Sequence, residues 1–479
     1  MGEEIGSSHF RQKDFQRFLS NLSQETSLLG DWFDQGRFCD TGKMAGFELE
    51  AWLVNADGHP HGINDAFLRL AERDGLPVVP ELSRFNVEIN SEPRELQGKV
   101  LSKMFAELES TWRQCCGLAQ QLDAAMMMTG ILPTVKDSEL ILANMSEVKR
   151  FRALNDQVLR LRNGRPLDID IQGVESLRMS HGDVMFESAA TSFQLHFQVG
   201  ISQSARYYNT AHILSAPMVA VSANSPYLFG RDLWDETRIP LFEQAVAMAD
   251  VYGRDGAQAG RVTFGAAYIE SSLYECFLRN LGCYPILLPA LNDAPVDALA
   301  HLRLHNGTIW RWNRPLIGFD DSGQPHLRIE HRVVPAGPTV VDSIANAALF
   351  YGALESMANA ETAPDSLLGF EQARTNFYAA AKHGLRAEVV WLDGKKVPVL
   401  DLLQQQILPL AQQGLARLGI DSDDAELFLA VIDGRIKKQC NGAVWQRGYV
   451  ARHGADMVQL TQAYYERQQQ GQPVHEWSW

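Results

Sequence analysis

Four separate stretches of this chain alternate between apolar and polar side chains, and their polar positions carry acids, imidazole or guanidinium. Residues two apart on a β-strand share a face. In Gly46–Val54, Phe47, Leu49, Ala51 and Leu53 fall on one face, and Glu48, Glu50 and Trp52 on the other. In Arg84–Glu92, Phe85, Val87 and Ile89 oppose Arg84, Asn86, Glu88, Asn90 and Glu92. In Ser192–Val199, Phe193, Leu195, Phe197 and Val199 oppose Gln194, His196 and Gln198. In Leu327–Val333, Leu327, Ile329 and Val333 oppose Arg328, Glu330 and Arg332. One such strand alone fits a half-buried element with a solvated acidic face. Four of them point to a curved sheet whose polar faces converge. Acids gathered that way cannot all stay ionised without cations, because an unpaired buried ion costs several kcal/mol. Hard divalent ions with oxygen ligands are the natural remedy, and one imidazole is tolerated. Carboxylates on one strand face stand about 6–7 Å apart, too far to share a proton but well spaced for neighbouring cations.

The rest of the chain supplies helices around such a sheet. Apolar spacing predicts helices over 10–33, 63–73, 96–128, 144–165, 205–221 and 235–250, with Met126–Met128 as adaptable packing near the end of the third. Residues 168–182 read as a loop and short strand. Pro226 ends the helix that precedes Ser222–Ser225. Residues 308–319 and 327–334 read as paired strands joined by Asp320–Gln324, and from Ser343 onward the pattern is almost wholly helical. Without repeats or a separating linker, the organisation is one catalytic domain (1–345) with a helical extension (346–479) packed on it. That extension carries no readable motif and either covers the site or forms a homo-oligomer contact.

Net charge narrows the partners. With 43 basic and 58 acidic residues the chain carries −15, which argues against non-specific nucleic-acid or anionic-membrane binding. An acidic protein that handles a phosphorylated ligand needs metal ions or local arginines to offset its own field. The six cysteines form no Cys-x-x-Cys pair and fit reduced thiols of a cytoplasmic protein. Met1–Phe10 is polar, unlike a signal peptide, and position 6 is glycine, which argues against myristoylation. No apolar run approaches the roughly 18 residues that span a bilayer. Walker-type, Gly-x-Ser-x-Gly and His-Glu-x-x-His motifs are absent.

Taken in order, Gly-Phe-Glu-Leu-Glu at 46–50, Val-Glu-Ile-Asn-Ser-Glu-Pro at 87–93, Gln-Leu-His-Phe-Gln at 194–198 and Arg-Ile-Glu-His-Arg at 328–332 resemble the fingerprint of carboxylate–amine ligases. The likeness is to the second glutamate–cysteine ligase family, a branch of the glutamine synthetase-like superfamily. It runs from about residue 44 to 345, and Ser222–Gly230 also resembles that family's stretch after the histidine strand. The resemblance implies an α+β fold: a curved antiparallel sheet forming a partial barrel, flanked by helices, with ATP and metals inside. It implies that Glu50 and Glu88 hold one Mg²⁺ or Mn²⁺, and that Glu48, His196 and Glu330 hold a second. Arg332 would meet the transferring phosphoryl group. Arg314, within Trp312–Pro315, would meet a substrate carboxylate or phosphate. Glu92 would hold the incoming amine or act as base.

Chemistry agrees with that picture. A carboxylate is a poor electrophile, so an amide ligase first makes an acyl phosphate, and phosphoryl transfer needs cations on ATP and arginine on the moving charge. Glutamate as the acid and cysteine or another amine as its partner follow from the family alone. Two rivals remain at this stage: a silent relative that only binds nucleotide or amino acid, and a hydrolase that uses the cations to activate water. Residue by residue, His196 also fits a core histidine, Arg332 a structural counter-ion, Glu92 a surface turn residue, and Asn90 and Gln194 members of a polar network. His331 stands on the apolar side of its strand, which points to a helix or subunit contact there.

Overall fold

The computed structural model describes residues 5–40, 42–248 and 260–479. The alternating stretches form an eight-stranded sheet: β1 (Met44–Val54), β2 (Val78–Pro80), β3 (Asn86–Asn90), β4 (Arg94–Glu95), β5 (Ala125–Met127), β6 (Phe193–Val199), β7 (Asn313–Phe319) and β8 (Pro325–His331). Six strands run in the order β7-β8-β6-β1-β3-β2, and β4 and β5 also pair with β1. Every pairing is antiparallel. This is the expected α+β arrangement, a curled antiparallel half-barrel with helices around it.

Both faces of the sheet are covered, as the burial of β1 from Ala45 through Val54 shows. Its acidic face is therefore not a solvated one. On the apolar face lie the helices Ser204–Ser222 and Val340–Ala358, whose side chains are buried nearly all round. A helix that is apolar on every side belongs in an interior. Phe197 of β6 meets Tyr207 and Tyr351 with ring centroids 5.6 and 6.0 Å apart, one tyrosine from each helix. His331 stacks on Phe350 at 4.1 Å and shares a 2.7 Å hydrogen bond with Asn313, so its apolar-side position is a helix contact. Burial holds its pKa well below the ordinary range, which keeps the ring neutral.

Several elements differ from the periodic reading. The third helix covers Val100–Gln120; Asp123 then adopts φ 53°, and Ala125–Met127 pairs with Val54–Trp52 of β1. Met126 and Met127 are thus strand residues, because β1 offers an unpaired edge at that point. Residues 167–181 form a hairpin of Leu167–Gln172 and Ser176–His181 rather than a loop with one strand. Of the helix expected over 235–250, Arg238–Ala245 is helical, and its last two residues lie outside the described ones. The region from Ser343 includes a hairpin, Glu388–Val390 with Lys396–Pro398. Among the described residues no helix is long and apolar enough to cross a membrane.

Candidate active site

Register brings the polar residues of distant strands side by side. Glu50 of β1 stands opposite Glu88 of β3, and Glu48 opposite Gln194 of β6. Across the sheet, His196 pairs with Glu330, and Glu330 with Arg314. All of them but His196 line one cavity of about 330 Å³, together with Glu81, Glu187, Arg150, Arg303, Arg328 and Arg332.

Two trios of donors emerge. Glu48, His196 and Glu330 each offer one ligand atom within 4.8 Å of the others, and so do Glu50, Glu81 and Glu88. In the first trio His196 Nε2 lies 3.3 Å from Glu48 Oε1 and 4.0 Å from Glu330 Oε1. Among the described residues neither ring nitrogen of His196 has a hydrogen-bond partner, although both are buried, and Glu88 Oε2 is orphaned in the same way. Buried polar atoms without partners are rare in native folds. Oxygen donors with one imidazole suit Mg²⁺ or Mn²⁺, so the residues present fit a pair of such ions.

The two trios differ in their native counter-charge. Glu330 accepts a two-pronged pair from Arg314, Nε and Nη2 each at 2.8 Å, and a third bond from Arg332 Nη1 at 3.1 Å. Burial alone would raise its pKa, but these guanidinium groups bring it down to about 2. Burial likewise opposes ionisation of Glu48, yet His196 and Arg332 hold its carboxyl well below the usual range. Among the described residues no guanidinium hydrogen-bonds to the second trio. Burial and the neighbouring Glu50 push Glu81 up to about 8. Burial and the charges of Glu48, Glu81 and Glu50 raise Glu88 well above its ordinary value. Glu50 is raised by burial despite Arg332; Gln194 Nε2 at 2.9 Å and Ser192 N–H at 2.6 Å donate to its two oxygens. Asn90 Nδ2 donates to Glu88 Oε1 at 3.0 Å. Asn90 and Gln194 thus brace the acids.

Arg332 follows β8 directly and is fixed from behind. Its N–H donates to Trp312 O at 2.9 Å, and its own carbonyl accepts from the buried Arg238 at 3.1 Å. Its Nη1 donates to Gln194 Oε1 as well as to Glu330.

A pH prediction follows from the second trio. The folded chain keeps a proton on Glu81 up to about pH 8, whereas an exposed glutamate releases it near its ordinary value. That group therefore adds stability below the ordinary value, and the contribution is lost as pH rises through about 8. A divalent ion held by this trio would take the place of the proton. In thermal melts, stabilisation by Mn²⁺ over chelator should be small near about pH 5 and grow toward about pH 8.5. Equal stabilisation at both ends would count against a cation at Glu50, Glu81 and Glu88.

The cavity thus gathers Glu48, Glu50, Glu88, Glu330, Arg314 and Arg332 and abuts His196. It does not gather Glu92. That residue lies beyond the last paired residue of β3 and is exposed, and its backbone N–H donates to Glu107 Oε1 at 3.0 Å. The residues periodicity did not single out are Glu81 and Glu187. Glu81 follows the three-residue strand β2, and Glu187 sits on the turn Met185–Ala189; neither lies on an alternating stretch.

A model of glutamate–cysteine ligase family 2 matches residues 44–466. Among solved structures, one similar to this chain is a glutamate–cysteine ligase from Francisella tularensis in complex with AMP. It shares 12% identity, with 90% of each chain covered and a TM-score of 0.51, a likeness of fold. A bifunctional glutathione synthetase from Pasteurella multocida shares 11% identity, with 93% of this chain and 54% of that one covered and a TM-score of 0.49. No curated protein sequence matches the chain.

Proposed function

The chain belongs to glutamate–cysteine ligase family 2 and is an ATP-dependent ligase that forms C–N bonds; from that premise we propose that it activates glutamate as an acyl phosphate and couples it to cysteine or another amine. The observation that carries this reading is the pair of acidic trios, facing one cavity with two arginines gripping Glu330 between them. In this reading Glu48, His196 and Glu330 hold one divalent ion, and Glu50 and Glu88, joined by Glu81, hold the other. Such ions supply positive charge to the phosphate oxygens of ATP. Arg332 faces the moving phosphoryl group with its guanidinium preset by Gln194 and Glu330, so little reorganisation is needed during transfer. Arg314 keeps Glu330 ionised and lines the same cavity.

A hydrolase would need the same metals but neither ATP nor an amine. Phosphate release from ATP with Mg²⁺ should therefore be stimulated only when an amino-acid carboxylate and an amine are both supplied. A screen of acids and amines by that readout tests the reading. Metal-dependent hydrolysis without ATP would overturn it.

A further inference from the structure

Six glutamates line the cavity: Glu48, Glu50, Glu81, Glu88, Glu187 and Glu330. The two trios account for all but Glu187. Among the described residues the Glu187 carboxylate forms no hydrogen bond and no ion pair. Of the guanidinium groups that line the cavity, Arg314 and Arg332 both grip Glu330 rather than Glu187.

Glu187 is also placed rigidly. It belongs to the single turn Met185–Ala189, whose other four members are buried. Asp183 Oδ1 accepts from Met185 N–H at 2.9 Å, Asn155 Oδ1 accepts from Val184 N–H at 3.2 Å, and Ser188 Oγ donates to Met185 O at 2.7 Å. The turn is thus pinned on both sides, and its one acidic member opens into the cavity. Burial, together with Glu81 and Glu50, raises its carboxyl well above the ordinary range although Arg332 opposes the rise. One carboxylate standing outside both trios suits a monovalent cation better than a third dehydrated divalent ion, which asks for several oxygens.

We infer that Glu187 receives the second substrate's amino group in its ammonium form and holds it beside the activated carboxyl. This rests on the ligase reading above. An amine enters the cavity charged at neutral pH, so the carboxylate that meets it must be one the metal trios leave free. Glu187 takes the place that the sequence had offered to Glu92.

Cysteine and hydroxylamine provide the test, since cysteine carries an ammonium at neutral pH and hydroxylamine is largely uncharged. With glutamate, Mg²⁺ and ATP, Glu187→Gln should raise the KM for cysteine about 10- to 100-fold, the loss of one charge-assisted contact. The KM for hydroxylamine, followed as hydroxamate, should change far less, and Glu187→Asp should recover part of the cysteine loss. An equal loss for both nucleophiles, or an unchanged cysteine KM, overturns the inference alone. Weakened Mn²⁺ affinity in Glu187→Gln would make the residue a metal ligand and overturn it too. Should the natural chain form neither product with any acid, the ligase reading falls and this inference with it.

Discussion

Glu330→Gln should reduce ATP-dependent phosphate release by about 10³-fold or more, on the scale of one electrostatic contact to a transferring phosphoryl group. The substitution keeps volume and shape, so any loss is one of charge. Glu330 is 1% exposed and serves three groups: Arg314, Arg332 and the trio with Glu48 and His196. Glutamine would remove a donor oxygen from that trio and turn an amide N–H₂ toward a guanidinium. The part-buried Arg314 and the buried Arg332 would then share no anion. Removing one partner of a buried pair costs about 3–5 kcal/mol, so the variant should also melt earlier while still folding. Circular dichroism well below the melting temperature separates the two effects. Full activity in a folded variant would remove Glu330 from the metal assignment.

The parts of this molecule that sequence makes legible are those set by a period of two. Once Glu48 and Glu50 share a strand face with apolar neighbours opposite, only the pairing register remains unknown. The observed register, Glu50 against Glu88 and His196 against Glu330, then joins four stretches into one cavity. The same rule fails where the strand stops. Asn90 is the last residue of β3, so extending the alternation to Glu92 carries it past the pleat and out to solvent. Pro93 follows, and proline has no N–H to donate to a continued ladder. Glu81 and Glu187 lie on a short linker and a single helical turn, whose directions depend on tertiary packing rather than on spacing. The Met126–Met128 segment misleads for a related reason: an apolar run reads equally as helix end or buried strand. Here the free edge of β1 decides. His331 was the informative exception, because a polar ring on the apolar face has to find a partner, and Asn313 with Phe350 supplies one.

Arg332→Lys separates charge from geometry at the proposed phosphoryl site. Lysine keeps the positive charge near Glu330 and Glu50, so the acids stay largely compensated and the fold should survive with modest loss. It cannot reproduce the planar fork. Arg332 uses Nη1 for both Gln194 and Glu330, which leaves the remaining guanidinium N–H groups available toward the cavity. An ammonium held by Gln194 and Glu330 would have little left to offer a phosphoryl oxygen. Turnover should therefore fall about 10³-fold, toward the lower end of what an arginine contributes to phosphoryl transfer. The KM values for ATP and glutamate should move much less, because the missing contact belongs to the transition state. Arg314→Lys is the matched control: both prongs of Arg314 end on Glu330, so its loss acts through that acid and should lower turnover less. If Arg332→Lys keeps turnover within about tenfold of the natural chain, a margin well below one transition-state arginine, Arg332 is a counter-ion of Glu330 and the moving charge is met by another group, with Arg328 and Arg303 of the same cavity next to be tested.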